Sequence, residues 1–239
     1  MVRTLVVYAW VVFSTVICGI TATLCSFFSR TGNLPHLVAR FWGNSILMAN
    51  LTKVSLSGLH HIDPSQPLIY MANHQSNFDI PVLLGKLPVQ FRWLAKAELF
   101  KIPIFGRGMR GCGYISIDRS DHKAAVLSLK EAARTIRAGA SVLIFPEGTR
   151  SPDGRIQPMK KGGFILAIEA GVPIVPIIIH GTRNIMAKGE SRINPGNVRL
   201  DIKPPIITSA YTRKDKDRLL AKIQTIIEKG FENTDGATA

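Results

Sequence analysis

A histidine and an aspartate five residues apart, in Asn73-His74-Gln75-Ser76-Asn77-Phe78-Asp79, and an arginine on a tight turn, in Phe145-Pro146-Glu147-Gly148-Thr149-Arg150-Ser151, are the groups of this 239-residue chain best suited to chemistry. A carboxylate that accepts the proton of one imidazole nitrogen fixes the tautomer and leaves the other nitrogen to act as a base. On an uninterrupted helix, positions five apart lie roughly 140° apart, so His74 can meet Asp79 only from a loop before the helix. The spacing alone is weak, since chance gives about 0.2 such pairs in a chain of this composition. In the second cluster Pro146 fixes one backbone angle and Gly148 permits close approach or positive φ, so the turn can aim Arg150, whose planar fork matches phosphate oxygens. Read by itself, that cluster is equally a surface turn with a solvated arginine. A base together with a cationic loop suits transfer onto a phosphorylated alcohol.

Other cations can be placed near the same end of the fold. Lys160-Lys161-Gly162-Gly163 opens a predicted helix, whose amides and dipole favour an anion. Arg119 follows the predicted strand in Gly113-Tyr114-Ile115-Ser116-Ile117-Asp118. Arg119, Arg150 and Lys161 could therefore converge on one phosphate, although each read singly is a solvated cation. The chain has no Gly-x-Ser-x-Gly elbow, no Gly-x-x-x-x-Gly-Lys-Ser/Thr loop and no His-Glu-x-x-His helix, so the reading requires neither metal nor cofactor. His60-His61 beside Asp63 reads as a turn, and His180 as a packed strand end. Three cysteines make no disulfide framework.

The elements that must position these groups read as an α/β domain. Strands are predicted at Leu68 to Ala72, Gly113 to Ile117, Ser141 to Phe145, Ile174 to Ile179 and Val198 to Lys203. Ala125, Leu129, Ala132, Ala133 and Ile136 recur at helical spacing, with Ser120 or Asp121 as N-cap and Gly139 as stop. Further helices are predicted from Gly163 to Ala170, closed by Gly171, and from Lys214 to Lys229, closed by Gly230. The Pro- and Gly-rich stretch Pro81 to Gly113 reads as a mobile basic and apolar flap. The expected fold is one α/β domain (53–231) with a central mixed, largely parallel sheet flanked by helices, preceded by a membrane-embedded helical segment (1–52) and followed by a flexible tail (232–239).

Between Arg3 and Arg30 there is no charge. The 24 residues from Leu5 to Phe28 would reach roughly 36 Å as a helix, enough for a bilayer core of about 30 Å. The run is longer than a signal-peptide apolar region and ends without a small-residue cleavage site. It could span, or lie in one leaflet; Leu34 to Leu51, interrupted by His36, Arg40 and Asn44, reads as an interfacial helix. The net charge of +14 is concentrated in residues 86–161, which carry 15 basic and 6 acidic groups. These cations are interleaved with apolar residues and follow an apolar anchor, which favours anionic membrane lipids over nucleic acid as the partner. The positive body after the anchor points to the cytoplasmic side.

Taken in order, these blocks resemble the glycerolipid acyltransferase family, specifically its bacterial 1-acylglycerol-3-phosphate acyltransferases. The resemblance covers about residues 40–210 and includes Lys96 through Gly106, Lys160-Lys161-Gly162 and Val172 through Ile177; Met159 stands where an aromatic often precedes the lysines. It implies His74 as general base, Asp79 as its orienting partner, Arg119 as a glycerol-phosphate contact, and Glu147, Gly148 and Arg150 in acceptor binding. Thr149, Lys160, Lys161 and Lys96 join the candidate substrate-binding set. The implied co-substrates are lysophosphatidic acid and an acyl thioester of coenzyme A or acyl carrier protein. The implied place is the cytoplasmic face of a bacterial inner membrane. Amides near His74 or Gly148 are the expected oxyanion donors. The rival readings are transfer onto another lyso-lipid, such as lysophosphatidylcholine or a lyso-ornithine lipid, and an anionic-lipid-binding protein without catalysis.

Overall fold

Ile69–Ala72, Val142–Ile144 and Ile174–His180 are buried at every position, as central strands covered by helices on both faces must be. The structure, a computed structural model, describes residues 1–118 and 122–235. Its elements in chain order are α1 (Val2–Ser26), α2 (Asn33–Ala49), β1 (Lys53–Ser57), β2 (Ile69–Ala72), α3 (Asp79–Lys86), β3 (Arg92–Lys96), α4 (Phe105–Gly111), β4 (Ile115–Ile117), α5 (His122–Arg137), β5 (Val142–Ile144), α6 (Gly162–Ala170), β6 (Ile174–His180), α7 (Thr182–Ile185), β7 (Asn197–Ile202) and α8 (Lys216–Asp235). The strands form one seven-stranded sheet in the order β1-β7-β6-β2-β5-β3-β4. All neighbours are parallel except β6 and β7. The fold is thus a single α/β unit with a mixed, mostly parallel sheet, as the sequence pattern indicates.

Two apolar layers sandwich the sheet. On one face α3 packs with the N-terminal hairpin and α4, through Val82, Leu83, Leu84, Leu47 and Met109. On the other, Ala132, Ala133 and Ile136 of α5, Phe164 and Leu166 of α6, and Leu219, Ile223 and Ile227 of α8 form the second layer. The crossover leaving β2 therefore runs over one face and that leaving β5 over the other. Such divergence opens a crevice at the carboxyl ends of the strands, where α/β folds bind ligands.

Two strands escape the sequence pattern. β1 is an edge strand with only Val54 and Leu56 half-buried. β3 lies inside Pro81 to Gly113 and is bracketed by Arg92 and Lys96. That stretch is not the expected flap: α3, β3, a 3-10 turn (Ala97–Lys101) and α4 occupy it, and β3 pairs with both β5 and β4. Gly230 does not stop α8, which continues to Asp235. A Cβ at Gly230 would sit 2.1 Å from Ile178 Cδ1, so this glycine serves close approach of α8 to β6. The expected tail after 231 is accordingly helical as far as Asp235, and the expected N-cap residues Ser120 and Asp121 lie outside the described residues.

The apolar N-terminus forms a helical hairpin that lies against the domain along its whole length. Near its start, Arg3 Nη2 donates to Ile193 O at 2.6 Å and Tyr8 OH to Ser191 O at 3.0 Å. Towards its end, α1 crosses α4 so closely that a Cβ on Gly108 would be 3.2 Å from Gly19 Cα. α2 in turn crosses α3 at Gly43, where a Cβ would meet Pro81 O at 2.8 Å and Gly85 N at 3.0 Å. Because α3 begins with Asp79, this contact bears on the site. Gly43→Leu should overpack the crossing by about 1–3 kcal/mol. Thermal unfolding in neutral detergent is expected to show a midpoint lowered by about 2–12 °C; an unchanged midpoint would mean that the helices have room to part.

Candidate active site

Asn73-His74-Gln75-Ser76-Asn77-Phe78 forms the loop that leaves β2, and α3 starts at Asp79, so His74 reaches the aspartate from before the helix. His74 Nδ1 donates to Asp79 Oδ2 at 2.7 Å; the carboxylate only accepts, which puts the proton on Nδ1. The amides of Gln75 and Ser76 donate to the same oxygen at 2.7 and 2.8 Å. Asp79 is 0% exposed and the His74 side chain 14%. The loop is held from both ends. Asn73 trades hydrogen bonds with Ile179 of β6 (Nδ2 to O 3.0 Å, N to Oδ1 2.7 Å), and Ser76 Oγ donates to Met186 O at 2.6 Å.

The second motif leaves the neighbouring strand β5 at the same edge of the sheet. Phe145 stacks on the His74 ring (centroids 3.9 Å, planes 6° apart) and leans on Trp93 of β3 at 5.2 Å. Gly148 has φ +76°, the left-handed conformation its place in the turn calls for. Glu147 is 2% exposed and is not turned to a ligand. Its Oε1 accepts the His74 amide at 2.6 Å and its Oε2 the Gln157 amide at 2.8 Å. Ser151 N donates to His74 O at 2.8 Å. The carboxylate implied by resemblance to contact the acceptor therefore ties the two loops together. Burial pushes its pKa up to about 7, against the lowering effect of the two amides.

His74 opens onto a cavity of about 450 Å³. Gly148, Thr149, half-buried Arg150 and Lys96 line its polar part. The remainder is apolar and runs between the sheet and the hairpin, past Trp93, Leu84, Phe105 and Met109 to Gly19 and Ala22 of α1. Exposed Lys188, missed in the sequence, donates from Nζ to Arg150 O at 3.0 Å and so steadies the turn. Lys160 and Lys161 are not brought to the cavity. Lys161 Nζ pairs with Asp217 of α8 at 2.9 Å, Lys160 is exposed, and its amide donates to Pro146 O at 2.9 Å. Lys96 does line the cavity while pairing with Glu98 at 3.1 Å. Arg119 lies outside the described residues. Within the two loops expected to supply oxyanion donors, the amides of His74 and Gly148 are already engaged, the first by Glu147 and the second by Phe145 O at 3.0 Å.

Among the described residues no group of His, Cys, Asp and Glu could hold a metal ion. His61 Nδ1 donates to Ile202 O at 2.9 Å, and His180 is packed between Asp201 and the ring of Phe231. A buried imidazole–carboxylate pair whose second nitrogen faces a cavity can remove a proton there. An arginine at the polar end can hold an anion, and the apolar body can take a hydrocarbon chain.

This fold and site define an acyltransferase: residues 53–180 match the Acyltransferase family, and the chain belongs to it. It is 41% identical over 176 residues to the chloroplastic 1-acyl-sn-glycerol-3-phosphate acyltransferase BAT2 of Brassica napus, covering 73% of this chain and 51% of that protein. To the chloroplastic LPAT1 of Arabidopsis thaliana it is 38% identical, over 82% of this chain and 58% of the relative. The chain thus spans a little over half the length of these two relatives. The crystal structure of PlsC, the 1-acyl-sn-glycerophosphate acyltransferase of Thermotoga maritima, superimposes with a TM-score of 0.84 at 29% identity, covering 98% of this chain and 95% of that one.

The Glu147 clamp makes a pH-dependent contribution. Its pKa rises from 4.5 to about 7 on folding, so between those values the folded state binds the extra proton. Stability from this group is greatest at low pH and is lost as the pH climbs through about 7. Relative to Glu147→Gln, the wild type is therefore expected to lose stability between pH 5 and pH 8 (both about). Urea unfolding of the two proteins across that range checks it, and parallel curves would refute the shift.

Proposed function

We propose that the chain transfers a fatty acyl group from an acyl thioester of coenzyme A or acyl carrier protein to the sn-2 hydroxyl of 1-acyl-sn-glycerol 3-phosphate, giving phosphatidic acid. One observation carries this reading: the His74–Asp79 pair faces a cavity of about 450 Å³ that has Arg150 at its polar part and an otherwise apolar body. His74 Nε2 takes the hydroxyl proton as the oxygen attacks the thioester carbonyl. Asp79 holds the Nδ1 tautomer and offsets the imidazolium charge. Arg150 grips the phosphate of the acceptor. The amides of Thr149 and Arg150, which make no hydrogen bond among the described residues, are left to meet the oxyanion. Collapse of the tetrahedral species expels the pantetheine thiol, which regains a proton from His74. The names of the similar proteins support the same acceptor.

The site works at a membrane. α1 is long and apolar enough to cross a bilayer, yet its first turns bond to residues 191–193 and its last half packs on α4. A helix tethered to one side at both ends suits a seat in one leaflet rather than a span. Exposed Leu5, Phe13, Leu24, Phe27, Phe28 and Phe41 supply the apolar face. The bacterial inner membrane, with the domain on the cytoplasmic side, fits the basic body.

Purified protein incubated with acyl-coenzyme A or acyl carrier protein thioesters and a panel of lyso-lipids, read by lipid mass spectrometry, tests the assignment. Acylation of lysophosphatidic acid is expected to dominate; preference for lysophosphatidylcholine or a lyso-ornithine lipid would reassign the acceptor, and no transfer at all would favour a binding protein. His74→Ala should lower kcat by about 10²–10⁴-fold in a folded protein. Arg150→Ala should chiefly raise KM for lysophosphatidic acid, and an unchanged KM would remove Arg150 from acceptor binding.

A further inference from the structure

A second, polar pocket of about 520 Å³ lies where the α1–α2 turn meets α4, away from His74 and Arg150. Ser26, Ser29, Arg30, Thr31, Arg107 and Arg110 line it, together with three glycines and no acidic residue. Arg110 Nη1 donates to Phe100 O at 2.8 Å, a cap that accounts for one of the three cations. Arg30 and Arg107 make no hydrogen bond or ion pair among the described residues. A fourth positive charge stands behind the pocket: Arg92, 3% exposed, gives its Nη2 to Thr31 O at 2.8 Å and to Asn33 Oδ1, with no carboxylate among its partners. Four guanidinium groups gathered with no carboxylate among the described residues lining the pocket repel one another, a cost that an external anion removes.

The geometry suits such an anion. The amides at the start of the 17-residue helix α2 flank the pocket, although Asn33 N and Leu34 N donate weakly at 3.4 Å to Thr31 Oγ1 and Ser29 Oγ. Immediately beside it Phe27 and Phe28 are 79% and 86% exposed. An arginine cluster next to protruding aromatics is the arrangement that meets a phosphate at the level where acyl chains begin.

We propose that this pocket binds the phosphate of an anionic lipid headgroup and so fixes the depth and tilt of the hairpin. The assignment rests on the one-leaflet seat proposed above. Its test keeps the two apart. Full-length protein is exchanged from neutral detergent into vesicles of pure phosphatidylcholine, or of phosphatidylcholine with one part in three phosphatidylglycerol, and its partitioning is read by flotation. Wild type should bind both and prefer the anionic vesicles. The triple variant Arg30→Ala/Arg107→Ala/Arg110→Ala should lose that preference by on the order of 100-fold, from a gain of about fivefold per arginine near the surface, with binding to phosphatidylcholine unchanged. Its acyl transfer in neutral detergent should equal wild type, since none of the three lines the catalytic cavity. Replacing all three by lysine keeps the charges and should still lose part of the preference, because an ammonium lacks the planar fork that grips a phosphate held in a pocket.

An equal loss on mutating exposed Arg137, Lys222 and Lys229 on α5 and α8 would overturn the pocket in favour of diffuse surface charge. Full preference in the lysine variant would do the same. If millimolar inorganic phosphate abolished the preference at constant ionic strength, the pocket would be a free-anion site and the lipid assignment would fall. Absence of binding to either vesicle would sink the membrane seat, and this assignment with it.

Discussion

A buried carboxylate holds together the two loops that carry His74 and Arg150. Glu147 comes from the loop after β5, yet its two oxygens fix the amide of His74, in the loop after β2, and that of Gln157. Ser151 N closes the same junction on His74 O. The His74 imidazole, the aromatic ring stacked on it and the arginine turn are therefore held as one piece. The arrangement carries a cost, since a carboxylate at 2% exposure has lost most of its water and is compensated only by neutral donors. That cost is what raises its pKa. It is tolerable because parallel β2 and β5 are paired neighbours ending at the same edge, so the two loops meet over a short distance.

The second constraint is that the cavity beside His74 is not made by the α/β domain alone. Its far wall is the N-terminal hairpin, with Thr15, Cys18, Gly19 and Ala22 of α1 facing Trp93, Leu94 and Tyr114 of the sheet side. Small residues on α1 leave the void, while Gly19 and Gly108 let α1 and α4 approach closely beside it. Removing the hairpin would open the apolar body of the cavity to water, so it serves the chemistry as well as any anchoring. Trp42 Nε1, donating to Thr15 Oγ1 at 3.0 Å, locks the two helices of that wall together.

Much of this was legible in the residues, and the exceptions have physical causes. Continuous apolar runs named β2, β5 and β6, because central strands need apolar side chains on both faces, and alternation of apolar with polar residues named β4 and β7. β1 and β3 were missed because one is an edge with half its face wet and the other is short and carries a charge at each end, Arg92 buried and Lys96 exposed. Gly230 misled since a glycine that admits a neighbouring strand looks in sequence like one that ends a helix. His74 and Asp79 were placed correctly because their spacing forbids pairing within one helix. Glu147 and Lys161 illustrate the limit: sequence order shows that a charge sits near a strand end, not which way its side chain turns. One turns inward to amides of two loops and the other across to Asp217. Phe145, which stacks on the His74 ring, had only its position after a strand to announce it.

The hairpin wall also bears on how a lipid could reach His74. Drawing a chain of fifteen methylenes through water would cost about 12 kcal/mol at 0.8 kcal/mol for each, a barrier close to that of many enzymatic steps (about). A cavity sunk in a water-facing domain would impose that cost on both acyl-bearing substrates. Here the apolar part of the cavity is bounded by the very helix whose other face exposes Leu5, Phe13 and Leu24. In the proposed one-leaflet seat a chain entering between α1, α2 and α4 exchanges lipid neighbours for Leu84, Phe105 and Met109 without crossing water. Only the polar ends must then be met from the aqueous side, and the cavity places its polar groups, Lys96, Thr149 and Arg150, together with His74.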